Sequence, residues 1–242
     1  MRGISSLMKL KIGVHGASGN VGKLLIDKIN SSDYCVPSYP YSRKSEQFNN
    51  LNDLFLSSDV IIDFSVAEAI DNFLLAASKH KKPLVIGTTG LFMEQKNKIK
   101  EISNQIPILY SANFSIGANV TRIASGIASE ILGNNFEIGI FEIHRKTKKD
   151  SPSGTSLMIE DEIKAKSNLN VTHSSMRIAD VLGEHNVIFE NKDESIKIMH
   201  SVKDRGVFAS GALKSAIWLT KKDAGLYKID DFLFNNVMPK NE

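Results

Sequence analysis

The sequence predicts an α/β fold: a doubly wound parallel sheet with a smaller mixed α/β domain inserted in it. Three observations carry this. Short apolar runs alternate with helical periodicity through the first half. A Gly16-x-x-Gly19-x-x-Gly22 loop joins the first run to the first helix. Strand patterns joined by turns fill much of the second half. Apolar strands alternating with helices imply a parallel sheet covered on both faces, and right-handed crossovers wind it doubly.

Residues 10–15 form the first strand, and the helix over 23–29 has Leu24, Leu25, Ile26 and Ile29 to bury. A strand near 35–42 is made irregular by Pro37 and Pro40, since proline disrupts a central ladder. Residues 60–64 form a buried strand, followed by a helix over about 67–79 with Ile70, Phe73, Leu74 and Ala77 at i, i+3, i+4 and i+7. Strands over 83–87 and 106–110 repeat the theme around a helix at 92–103. Further on, 136–144 alternates, with Phe136, Ile138, Ile140 and Glu142 on one face. A helix over 155–166 and strands over 171–178, 186–190 and 194–202 follow, the last two joined by a turn at Asn191-Lys192-Asp193. These make a small antiparallel or mixed sheet. Residues 208–220 return to helical periodicity and rejoin the first domain. The domains are therefore 8–114 with 209–242, and 115–208.

Composition narrows the function classes. At 42% apolar and 24% charged, the 242-residue chain matches an ordinary globular protein. A net charge of +3 is too small to argue for nucleic acid. The lone Cys35 excludes an intramolecular disulfide and fits a reducing compartment. No apolar run approaches the ~20 residues that cross a bilayer. Residues 1–7 hold one Arg and no hydrophobic region, so they read as a frayed tail or an upstream start before Met8, and cytoplasmic residence is expected.

The glycine loop sits where a dinucleotide fingerprint belongs; its glycines permit a tight turn and close approach to a pyrophosphate. The acidic residue that usually holds the adenosine ribose is missing, for no Asp or Glu lies between Asp33 and Glu46. Arg43 and Lys44 there either meet a 2′-phosphate or form a solvated basic loop. Loops 63–65, 87–90 and 111–114 also follow strands, on the rim where doubly wound folds bind ligands.

The segment 141–156, FEIHRKTKKDSPSGTS, carries the chemistry. It sets His144, Arg145 and Lys148 beside a Pro-Ser-Gly-Thr turn that opens a helix. At Ser153-Gly154-Thr155 that turn is expected to expose unpaired N–H groups. Cations, an imidazole and amide donors together describe a site where a small anion undergoes proton transfer. His15, His80, His173, His185 and His200 read as structural or surface groups, and nothing is spaced as a metal site.

Through these residues the chain resembles the 4-hydroxy-tetrahydrodipicolinate reductase (dihydrodipicolinate reductase) family. The resemblance also rests on Ser111–Gly117, Arg177, Gly183-Glu184-His185, Asp204-Arg205 and the run 208–213, so it spans nearly the whole chain. It implies a Rossmann-type domain built from both chain ends, plus an inserted domain that binds substrate and assembles a homotetramer. It also implies reduction of a cyclic, dicarboxylate-bearing imine by NADPH or NADH. By motif position His144 and Lys148 match the proton-donating pair, and Gly154 and Thr155 the amides that hold a substrate carboxylate. Gly16, Ala17, Ser18, Gly19, Asn20 and Val21 match a cofactor loop, as do Gly87, Thr88 and Thr89, and Ser111, Ala112, Asn113 and Phe114. Arg205 and Phe208 resemble residues near the nicotinamide, and Arg43 is the candidate 2′-phosphate contact.

Two departures stand out. Arg145 replaces the second histidine of many members; a guanidinium cannot act as an acid but can clamp a carboxylate. The missing ribose acid leaves NADH against NADPH open. Two other classes remain: a different dehydrogenase of the same plan, which needs the glycine loop but not His144 with Lys148, and a nucleotide sensor that turns nothing over.

Overall fold

The computed structural model describes residues 9–167 and 169–237, so the reading of residues 1–7 falls outside them. The chain divides into two compact units: Ser115–Val207, and the segments before and after it.

The first unit carries β1 (Leu10–His15), α1 (Asn20–Asn30), β2 (Cys35–Tyr41), α2 (Leu51–Ser57), β3 (Val60–Asp63), α3 (Ile70–His80), β4 (Leu84–Ile86), α4 (Met93–Ser103) and β5 (Pro107–Tyr110). With β10 (Gly225–Tyr227) from the chain's end, its six strands are all parallel and run β2-β1-β3-β4-β5-β10. The order reverses between β1 and β3, the point at which such sheets bind ligands. The prolines of β2 are tolerated because β2 is an edge strand, and its register slips past Ser38, where Ile12 pairs with Pro37 but Gly13 with Tyr39. Ile61, Ile62, Phe73, Leu84 and Ile108 are fully buried in this unit.

The second unit holds α5 (Ile116–Leu132), β6 (Glu137–His144), α6 (Gly154–Ser167), β7 (Val171–Arg177), β8 (Glu184–Glu190) and β9 (Ser195–Ser201). Its sheet is ordered β7-β6-β8-β9 and is mixed: β6 and β7 are parallel, the other pairs antiparallel. The hairpin between β8 and β9 is fixed by Asn191, whose Oδ1 accepts from the amides of Asp193 and Glu194, both at 2.8 Å. Ile138, Ile140, Val187 and Phe189 form the core with Ile159 and Ile163 of α6.

α7 (Gly206–Leu219), β10 (Gly225–Tyr227) and α8 (Ile229–Val237) complete the chain. Sequence periodicity assigned no element to α2, α5, β10 or α8. For α5 the reason is physical: its buried face is small and polar (Ala118, Asn119, Thr121, Arg122, Ser125, Gly126, Ser129), while Val120, Ile127 and Ile131 are exposed. That inverts the usual apolar stripe. Arg122 on this face pairs with Glu162 of α6. Among the described residues no helix is long and apolar enough to cross a membrane.

Candidate functional site

In the first unit the glycine loop is built for a close backbone approach. Gly16 has φ +85°, and a Cβ there would lie 2.5 Å from the Phe64 carbonyl. A Cβ on Gly22 would lie 2.2 Å from the Gly16 carbonyl. The amides of Gly16 and Ala17 donate to Tyr41 O at 3.1 and 3.0 Å, tying the loop to the end of β2. α1 has Gly19 at its cap, no side-chain cap and no acid in its first turn. Its amide end therefore suits a phosphate.

Two cavities flank this loop, and Phe64 and Ser65 line both. Gly16, Ser18, Gly19, Ser42, Arg43 and Lys44 line one; no carboxylate does. Asn20, Val21, Gly87, Thr88, Thr89, Ala112, Phe114 and Phe208 line the other. Ser111 and Asn113 shape the loop after β5, where Ser111 Oγ donates to Asn113 O at 2.9 Å. Sequence reasoning missed the buried network behind the rim. Asp63 accepts from Thr88 Oγ1 at 2.7 Å and from the Ser65 amide at 3.1 Å, and meets His15 Nδ1 at 2.7 Å. It thereby joins the ends of β1, β3 and β4. Arg205 belongs to the second unit and is exposed in a turn where Asp204 Oδ1 accepts from the Gly206 amide at 2.8 Å.

In the second unit Glu142 is the hub. It is fully buried near the end of β6. Its carboxylate accepts from the Ser153 amide (3.0 Å), Ser156 Oγ (2.6 Å), Ser175 Oγ (2.9 Å) and Arg177 Nη2 (2.8 Å). Burial pushes its pKa up, but these donors together outweigh burial and hold the carboxyl well below the usual range. This corrects the expected turn: the Ser153 amide is already taken by Glu142, and the Ser156 amide by Ser153 Oγ at 3.2 Å. Gly154 remains at the open start of α6, where a Cβ would meet nothing within 4 Å.

His144 follows two residues along the same face and is 5% exposed. Its Nδ1 has no hydrogen-bond partner and lies 3.8 Å from Glu142 Oε2. Burial pushes its pKa below 6.5; Glu142 raises it, while Lys148 and Arg177 lower it. The imidazole is thus harder to protonate than the unperturbed group the sequence suggests. Lys148 Nζ is held by Asp150 at 2.6 and 2.8 Å. Arg145 Nε donates to Thr147 Oγ1 at 3.1 Å, so it is Arg177, overlooked as a site residue, that reaches the hub.

The register places Ser175, Glu142, His185 and His200 opposite one another across all four strands. His185 and His200, read from sequence as structural or surface groups, thus line up with the hub, and His185 is 3% exposed. Glu142, His144 and His185 also bring three ligand-type atoms within 4.8 Å of one another, which sequence spacing gave no sign of. The carboxylate is committed to four donors, one of them a guanidinium, and so is a poor metal ligand.

Comparison with known proteins decides the family. The profile described as "Dihydrodipicolinate reductase, N-terminus" matches residues 10–114, and that described as "Dihydrodipicolinate reductase, C-terminus" matches residues 117–233. The chain belongs to the dihydrodipicolinate reductase family. It is 36% identical to 4-hydroxy-tetrahydrodipicolinate reductase of Rickettsia bellii over 94% of this chain and 96% of that one. With the Sulfurimonas denitrificans enzyme of the same name it shares 38%, over 93% of this chain and 99% of that one. The fold also matches dipicolinate-bound dihydrodipicolinate reductase from Paenisporosarcina sp. TG-14, with TM-score 0.78 and 18% identity over 91% of this chain and 98% of that one.

Proposed function

We propose that the chain reduces 4-hydroxy-tetrahydrodipicolinate to tetrahydrodipicolinate with NADPH or NADH, in lysine and diaminopimelate biosynthesis. The observation that carries the reading is the buried His144 at the sheet end, joined through Glu142 to the turn that opens α6. Its relatives are named for the same activity, and the dihydrodipicolinate reductase of similar fold from Paenisporosarcina sp. TG-14 is bound to dipicolinate, a dicarboxylate.

On this reading the segments before Phe114 and after Phe208 bind the dinucleotide, and Ser115–Val207 binds substrate. Gly16–Val21 would cradle the pyrophosphate, and loops 87–89 and 111–114 with Phe208 would take the nicotinamide side. Loss of the 4-hydroxyl group as water leaves a conjugated C=C–C=N system in the ring, to which the nicotinamide, when bound, would supply a hydride. Negative charge then builds at the far end of the ring, and His144 delivers the proton that quenches it. Gly154 and Thr155 hold one substrate carboxylate, and Arg145 and Lys148 stabilise the dianion. Burial, and less strongly Lys148 and Arg177, disfavour protonation of His144; an arriving dianion offsets the two cations and so favours the acid form.

Arg43 and Lys44 beside Ser18 and Ser42, with no carboxylate in that cavity, favour NADPH. The outward sheet face, with Phe141, Ile143, Met176, Ile188 and Met199, is the surface through which copies assemble as a homotetramer. An absorbance assay with enzymatically generated substrate and each cofactor tests the function. NADPH oxidation at higher kcat/KM than NADH oxidation is expected, and no oxidation of either contradicts the reading.

A further inference from the structure

We propose that His185 is a positioning residue of this site: its Nε2–H holds Ser153 Oγ and its ring braces His144, so the turn opening α6 and the proton donor are set as one unit. The inference rests on the reading of His144 as the acid. It goes beyond it by assigning a role, and a tautomer, to a histidine that touches no substrate-binding amide.

The hydrogen-bond bookkeeping fixes the tautomer. Ser156 Oγ spends its proton on the Glu142 carboxylate, which can only accept, at 2.6 Å. Ser153 Oγ then donates to Ser156 Oγ at 3.2 Å and accepts the Ser156 amide at 3.2 Å. One lone pair remains on Ser153 Oγ, and His185 Nε2 lies 3.1 Å from it. That nitrogen must therefore carry the hydrogen. The reverse arrangement would leave a buried Nδ1–H with nothing to accept it, for His185 Nδ1 has no partner.

The ring has a second task. It meets His144 edge-on, with centroids 5.1 Å apart and planes at 73°. Behind it lies His200, whose ring is 6.3 Å away and nearly parallel, and which packs so tightly on Gly117 that a Cβ there would lie 2.8 Å from His200 Nε2. His185 is thus confined on both sides. A group that packs against the donor while bonding the turn couples the two without touching substrate.

The test pairs two substitutions of similar size. His185→Leu keeps bulk and loses the donor; His185→Gln keeps an N–H at the reach of Nε2. His185→Leu is expected to lower kcat/KM about tenfold, and His185→Gln to recover most of that loss, with both variants melting near the wild type. Equal kinetics in the two variants, whether impaired or wild-type, overturn the proposal. Should neither fold, 15N spectra of histidine-labelled wild type decide: the Nε2–H tautomer of His185 at pH 7 supports it, and the Nδ1–H tautomer refutes it. The acid assignment is separately exposed, because His144→Gln acts on it whatever His185 does.

Discussion

The inward face of the four-stranded sheet has two ends with opposite chemistry. At one end Ile138, Ile140, Val187 and Phe189 close on Ile159 and Ile163 of α6 and form a dry core. At the other, on the same strands, Glu142, His144 and His185 are just as buried. Strand alternation dictates that all of them face inward. A fold selected for stability alone would continue the apolar pattern, because a buried carboxylate costs several kcal/mol unless it is paired and hydrogen-bonded. Here the cost is offset by donors from two other segments, Ser153 and Ser156 at the start of α6 and Ser175 and Arg177 of β7. The contrast teaches that the polar end is held by a preorganised hydrogen-bond network, so that on the proposed reading its stability and its chemistry depend on the same bonds.

Substitutions can break that contrast. The largest effect is expected from Glu142→Gln, which places an amide among donors and unpairs Arg177. A loss of about 3–5 kcal/mol in urea unfolding is expected, together with a fall in activity of the molecules still folded. Ile140→Ala, two residues back along β6 in the apolar end, should cost about 2–4 kcal/mol yet leave kcat of the folded enzyme within about twofold. Similar activity losses in both would erase the distinction.

Acidification sharpens it. Burial holds His185 at about 4 against 6.5, with the neighbouring His144 adding to the effect. Burial also lowers His200 and His144. The folded unit therefore binds fewer protons than the unfolded chain as pH falls, so stability present above pH 6.5 is lost on the way down. His185 alone accounts for about 3 kcal/mol between pH 6.5 and 4. Glu142, whose carboxyl is also depressed, adds a further loss below its ordinary 4.5. Urea midpoints measured from pH 7.5 to 4 should fall accordingly, and a flat profile would show that the row is not buried in its neutral form. The smallest effect is expected from Gly183→Ala, whose Cβ would lie 3.1 Å from His144 Nε2. A displaced ring should lower kcat a fewfold, while stability changes by about 1 kcal/mol or less.

Much of the fold was legible because periodicity reports burial locally. Five of the six strands of the doubly wound sheet and the mixed second sheet followed from it, and the glycine loop from its spacing. α5 was not legible, since it buries Ser125 and Ser129 and exposes Ile127 and Ile131. In the site, His144 and the turn were legible from one short segment. The role of Glu142 was not, although alternation placed it on the face of Ile138 and Ile140. Its partners Arg177, His185 and Ser175 are distant in sequence and meet it only through strand register, which a single sequence does not encode. The depressed proton affinity of His144 is likewise a product of assembled burial.

The central claim is that the polar end of this sheet exists to place one proton donor. Steady-state kinetics of His144→Gln with saturating NADPH test it most directly. A fall in kcat of about a hundredfold or more, with substrate KM changed by less than about threefold, is the predicted result. An unchanged kcat would contradict the account.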